Sequence, residues 1–198
     1  MQARSEETHN RILEAAYRLF SQEGYDATGV AELCAAAGVS KGAFYHHFPS
    51  KQAVFLALLE SWLDHLDKAF AVARQSAPSV EQAVVSMAGM AGSVMRSADV
   101  HPIILLEFWM QAYREPAVWQ AAIAPYRRYQ HYFARMVEDG IADGSLRPVE
   151  PDLAGRVLVS LALGLLMQAV FDPQAMDLAQ ESRQSLEILM HGLARRAV

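Results

Sequence analysis

The chain of 198 residues has a single cysteine, Cys34, so no intramolecular disulfide can form and the composition fits a reducing compartment. It has no Gly-rich phosphate loop, no HExxH, no Cys and His clustered at metal-ligand spacing and no serine elbow. An enzyme therefore lacks a visible catalytic constellation, and no cofactor and no metal are expected. Positive charge is scarce: the net charge is -5, so any binding of nucleic acid must rest on a local patch. No stretch alternates apolar and polar residues over strand length, and no repeat or low-complexity segment interrupts the chain. The opening MQARSEETHNRILEAA carries acids and no apolar core of signal-peptide length. The most apolar run, Val157 to Phe171, falls short of the roughly 20 residues that cross a bilayer. A cytoplasmic protein with no membrane partner is the expectation.

What is present reads as helix. Apolar residues make up 53% and charged residues only 20%, a balance that points to surface buried by self-association. Ile12, Ala15, Ala16, Leu19 and Phe20 recur at helical spacing and mark a first helix that stops before Gly24. A second runs from about Val30 to Ala37, with Thr28 or Gly29 as N-cap, and Gly38 breaks it. Ser40 caps a third helix of about two turns, which Pro49 ends, and Ser50 caps a long fourth helix. Val80 lies in a fifth, and Pro102 opens a sixth, IILLEFWMQ, that is apolar on all sides. The seventh starts at Pro116, is expected to kink at Pro125, and ends by Gly144. An eighth begins near Pro151, and a ninth spans about Leu178 to Arg195. The fold class is all-α, with about nine helices.

The densest chemistry lies in GVSKGAFYHHFPSK, Gly38 to Lys51. At about 100° per residue, Phe44 and Phe48 fall together and face a core, while Gly42, Ala43 and His46 point away and Tyr45 and His47 flank. A helix ending at Gly38 and a turn of about three residues precede this short helix, the pattern of a helix-turn-helix that sets its second helix in a major groove. Gly42 and Ala43 permit close approach to base edges, Lys41 can reach a base or a phosphate, and Tyr45, His46 and His47 offer donors to phosphates. Lys51 adds a charge at the start of the fourth helix. From Leu33 to Leu59 the only charged side chains are Lys41 and Lys51, so the local balance is positive although the chain is acidic.

The segment from Ile12 to Leu59, with GVSKGAFYHHFPSK at its heart, resembles the N-terminal DNA-binding domain of the TetR family of bacterial transcriptional regulators. The resemblance implies a homodimer that lays the third helix of each subunit into one half of a palindromic double-stranded DNA operator. By position, Ser40, Lys41, Gly42 and Ala43 would meet base edges, and Thr28, Tyr45, His46, His47 and Lys51 would hold the backbone. The chain departs from the family pattern at Ala31, where a polar or basic residue is common, and at Gly29, where a Thr or Ser often follows the position of Thr28.

Residues 1–51 are thus read as a three-helix DNA-binding domain and 52–198 as a helical-bundle domain for ligand binding and dimerisation. In the second part Trp62, Met87, Met90, Phe108, Trp109, Tyr113, Tyr126, Tyr129, Phe133 and Met167 could line an apolar cavity for a small hydrophobic effector. Glu107, in the most apolar helix, should have a partner among Arg114, Arg127, Arg128 or a tyrosine, or else a cationic ligand. The eighth helix is apolar on two faces, so one face packs inside and the other against a second subunit, with Leu158, Leu161, Ala162 and Leu165 joined by Leu186, Leu189, Met190 and Leu193 of the ninth. The competing readings are a DNA-binding protein whose second half only dimerises and a helical enzyme.

Overall fold

The computed structural model describes residues 2–97, 102–172, 174 and 177–193. Nine helices and no strand occur among them, as the periodicity predicts: α1 Gln2–Glu23, α2 Val30–Ala37, α3 Lys41–His47, α4 Lys51–Ser76, α5 Val80–Ser97, α6 Pro102–Arg114, α7 Pro116–Ala142, α8 Pro151–Phe171 and α9 Leu178–Leu193. Arg195, the expected end of α9, lies outside the described residues. The local signals act where the sequence puts them. Ser50 Oγ accepts the Ala53 N–H at 3.1 Å, and Ser79 Oγ accepts the Gln82 N–H at 3.2 Å. The Glu150 carboxylate accepts the Asp152 N–H at 3.0 Å and also the Leu153 N–H, ahead of Pro151 in the first turn of α8. Gly24 and Gly144 take positive φ after α1 and α7, and α7 continues through Pro125.

Two compact units emerge, Met1–Asp64 with Ile103–Trp119, and His65–Pro102 with Gln120–Val198. They do not coincide with a division after residue 51, because the first unit runs on to Asp64 and takes in α6, which meets Phe55 of α4 and Asp26 in the turn after α1. The core of the first unit gathers Ile12, Ala16 and Phe20 of α1, Leu33 of α2, Phe44 and Phe48 around α3, Val54 and Phe55 of α4, and Phe108 of α6. Phe55 stacks on Phe108 at 4.0 Å and meets Phe20 edge-on at 5.6 Å. Each buried ring contributes about 1.5–3 kcal/mol through removal of apolar surface from water.

In the second unit α9 packs on α5 and α8. Its buried residues include Val84 and Met87 of α5, Met136 and Val137 of α7, Leu158 and Leu165 of α8, and Leu186 and Met190 of α9. Gly155 brings α8 against α7 so closely that a Cβ there would lie 2.5 Å from the Gln130 carbonyl oxygen. By length and composition α8 as a whole could cross a membrane, which the shorter run read from the sequence does not show. Its residues Ala154, Gly155, Leu158, Val159, Leu165 and Ala169 are buried inside the fold, so packing accounts for one face of that apolarity.

Candidate nucleic-acid interface

The orientation of α3 is fixed from both ends. After α2, Gly38 adopts φ 63°, a left-handed conformation suited to glycine, and the N–H groups of Gly38 and Val39 return to the carbonyls of Ala35 and Cys34. From α1, Arg11 donates to the Ala37 carbonyl through Nε at 3.0 Å and through Nη2, and to the Gly38 carbonyl at 2.8 Å. Ser40 then caps α3, its Oγ accepting the Ala43 N–H at 3.1 Å, and the Phe48 N–H closes the last turn on the Phe44 carbonyl at 2.8 Å. At the start of α2 the cap is Gly29, not Thr28, and the Glu32 carboxylate accepts the Gly29 N–H at 2.7 Å.

So held, α3 turns Phe44 fully inward and leaves Ser40, Lys41, Gly42, Tyr45 and His46 exposed, Tyr45 by 54%, with Ala43 and His47 half-buried beside them. Tyr45 rests edge-on against Phe44 at 5.4 Å, which steadies its hydroxyl at the surface. His47 lies 5.2 Å from His46 and 6.1 Å from His9 of α1. Partial loss of water, then the neighbouring His46 and His9, lower the pKa of His47 below the ordinary histidine value. This face offers hydroxyl, imidazole and ammonium donors over a rigid aromatic base.

Two residues expected at the DNA backbone are turned inward. Thr28 is 1% exposed and its hydroxyl donates to the Gly24 carbonyl at 2.9 Å, so it ties the turn between α1 and α2. Lys51 donates to the Tyr25 carbonyl at 2.6 Å and the Thr28 carbonyl at 2.8 Å, and its ammonium sits 4.2 Å over the Tyr25 ring. Burial lowers the Lys51 pKa, against the pull of Asp26 and Glu32. The same turn is held from α6: Gln111 donates to Asp26 at 3.0 Å and Arg114 at 3.2 Å. Sequence reasoning missed Arg11, His9, Asp26 and Gln111. All act on residues remote in the chain, and only the burial of a polar Gln111 inside an apolar helix could have hinted at a partner.

Among residues expected to line a cavity, Tyr113 stands 92% exposed on α6 and is corrected to a surface residue. Phe108 is core, stacked on Phe55, and Met87 is core in its own unit. Trp62, Trp109, Met90, Tyr126 and Met167 are half-buried. Tyr129 and Phe133 gather around Phe70, each with centroids 5.8 Å away, and the Tyr129 hydroxyl donates to Asp67 at 2.6 Å. Two of the three arginines expected for Glu107 pair elsewhere, Arg114 with Asp26 and Arg128 with Asp67 at 2.8 Å. Burial, then the charge of Asp26, raises the Glu107 pKa, while Arg114 lowers it less.

The expected dimer face also needs correction. Leu158, Leu165, Leu186 and Met190 are buried within the subunit, because that stripe of α8 and α9 is the inner one. Leu161, Leu189 and Leu193 are half-buried and Ala162 is exposed. The outer stripe carries Leu153, Val157 and Phe171 on α8 and Ile188 on α9, the last two 80% and 76% exposed.

Comparison with known proteins agrees with this architecture. Residues 12–58 match the family model described as bacterial regulatory proteins, tetR family, and residues 96–196 match the C-terminal model of BetI-type transcriptional repressors. The chain is 26% identical over 196 residues to the HTH-type transcriptional regulator UidR of Escherichia coli (strain K12), covering 98% of this chain and 96% of the relative. The crystal structure of the TetR family transcriptional regulator PfmR from Thermus thermophilus superposes with a TM-score of 0.75 at 27% identity, over 93% of this chain and 100% of that one. A regulator from Saccharomonospora viridis, crystallised in complex with choline, shares the fold with a TM-score of 0.80 at 21% identity, over 96% and 100% of the two chains. With its helix-turn-helix in α2 and α3, the chain belongs to the TetR family of bacterial transcriptional regulators.

Proposed function

We propose that the protein is a cytoplasmic repressor that binds a palindromic operator as a homodimer and is released by a small, mostly apolar or aromatic effector. The observation that carries the reading is the outer face of α3, where Ser40, Lys41, Gly42, Ala43, Tyr45 and His46 stand over a buried Phe44. Small side chains at Gly42 and Ala43 admit base edges, and the longer donors fix the duplex through its phosphates. The dimer is supported by the apolar outer stripe Leu153, Val157, Phe171 and Ile188, which suits an isologous contact. For the effector, the half-buried aromatic and methionine residues of the second unit suit varied apolar molecules.

The test is selection of bound duplexes from random DNA. An enriched palindrome supports the reading, and recovery of no motif, with only salt-sensitive retention, refutes a sequence-specific regulator. A second reading, a cationic effector, is favoured by Glu107, since Arg114 and Arg128, two of the three arginines expected for it, pair with other acids, and by the choline held in the related structure. A shift of melting temperature with choline, absent in Glu107→Gln, supports it; an equal shift in both proteins refutes it.

A further inference from the structure

Three imidazoles meet where α1 lies against the end of α3. The His9 ring stacks on Phe48 with centroids 4.7 Å apart and planes 30° apart, and meets His47 edge-on with centroids 6.1 Å apart, while the His47 and His46 centroids lie 5.2 Å apart. His46 is exposed, and His9 and His47 are half-buried. The surrounding charges are few. Glu6 and Glu7 precede His9 on α1 and are exposed, Lys41 is at the opposite end of α3, and Lys51 of α4 is held by two carbonyls. Arg11 of α1 is likewise committed, to the end of α2. The influences on His47 are loss of water and the other two imidazoles, with no carboxylate among them. At His47, therefore, no carboxylate favours the charged form.

We propose that His9, His46 and His47 form a proton-accepting phosphate clamp, in which DNA supplies the missing anion and the imidazoles take up protons as the duplex binds. The proposal rests on the reading that the outer face of α3 meets DNA, and it adds His9, from outside the helix-turn-helix, to the binding surface. A neutral imidazole offers one N–H donor, whereas the protonated ring offers two together with a charge. A phosphate at hydrogen-bond distance raises the imidazole pKa, so the bound value exceeds the free one. Binding then takes up protons between those two values, and affinity rises as pH falls through that window. Below the free value the rings are charged in both states and the dependence levels off.

The test uses the full-length protein and a random-sequence duplex, because phosphate contacts do not require the operator. Calorimetric titration at about pH 7 in two buffers of different ionisation enthalpy counts the protons exchanged, and anisotropy titrations follow affinity between about pH 6 and pH 8. The expected result is net proton uptake and binding about tenfold or more tighter at the lower pH. The log–log salt slope should steepen there by about 0.9 for each imidazole engaged. His9→Gln and His47→Gln should each reduce the uptake and flatten the pH dependence, with thermal melts to verify folding. Duplex binding with no proton uptake and one salt slope at both pH values overturns the clamp and leaves the DNA-facing role of α3 standing. Absence of any duplex binding sinks both.

Discussion

The two compact units are held by different means. In the unit that carries α3, long polar side chains reach across turns to backbone groups or short acids: Arg11 to Ala37 and Gly38, Lys51 to Tyr25 and Thr28, Gln111 and Arg114 to Asp26. In the other unit such ties are fewer, among them Arg147 to the Gly192 carbonyl and Arg128 and Tyr129 to Asp67, beside a close approach of bare backbone at Gly155 and extensive apolar packing of α5, α7, α8 and α9. The difference follows from element length. A helix of seven residues buries too little surface to orient itself, so its turns must be tied; helices of 16 to 27 residues orient one another through their faces.

The sharpest way to break this contrast is Gly155→Ala. The added Cβ would stand 2.5 Å from the Gln130 carbonyl oxygen and 2.9 Å from the Ala134 nitrogen, and backbone atoms cannot rotate aside as side chains do. Separation of α7 and α8 should cost about 3 kcal/mol and lower Tm by about 6–12 °C. An unchanged melting temperature would mean that the helices do not pack through this glycine.

Lys51→Met keeps the aliphatic stem and removes the donors, leaving the Tyr25 and Thr28 carbonyls without their partner at a cost of about 2 kcal/mol. Stability should fall while the salt slope of duplex binding stays unchanged. A slope shallower by about 0.9 would return Lys51 to the phosphate contact first expected of it. Gly38→Ala is milder, about 1 kcal/mol for the left-handed conformation, because the atom its Cβ would meet at 2.8 Å is the movable end of Arg11. A loss as large as that at Gly155, measured by the same thermal melts, would show that the Arg11 tie is rigid.

Legibility in the sequence follows the same contrast. The ends of α2 and α3 could be placed because Gly38, Ser40 and Pro49 act on residues within one turn, and the inward set of Phe44 and Phe48 follows from helical rotation alone. The start of α1 was not legible at Ile12, since its first turns bear few apolar residues to mark them, yet the helix begins at Gln2. The ties were invisible for another reason: Arg11 and Ala37 are 26 positions apart, and Gln111 and Asp26 are 85. On α8 the periodicity shows two apolar faces without distinguishing inner from outer, and only the packing turns Leu158 and Leu165 inward. Lys51 shows the remaining kind of failure, in which the residue type suits two roles and only its neighbours decide.

Glu107 gives the smallest effect and tests whether α6 serves stability alone. Its pKa is raised in the folded chain from the ordinary 4.5, first by burial and then by Asp26. Folding therefore favours the protonated form, and the ionised carboxylate lowers stability as pH rises from about the ordinary value through the folded one. Glu107→Gln, which mimics the neutral acid, should be more stable than the parent near neutral pH. Since the carboxyl keeps contact with water, the gain should stay below about 1 kcal/mol, and it should vanish as pH falls below the ordinary carboxylate range. Urea unfolding at neutral and acidic pH measures the difference directly. A variant less stable than the parent at neutral pH would mean that the charge has a favourable partner in the fold, and α6 would then join the first unit through Glu107 as well as through Gln111 and Arg114.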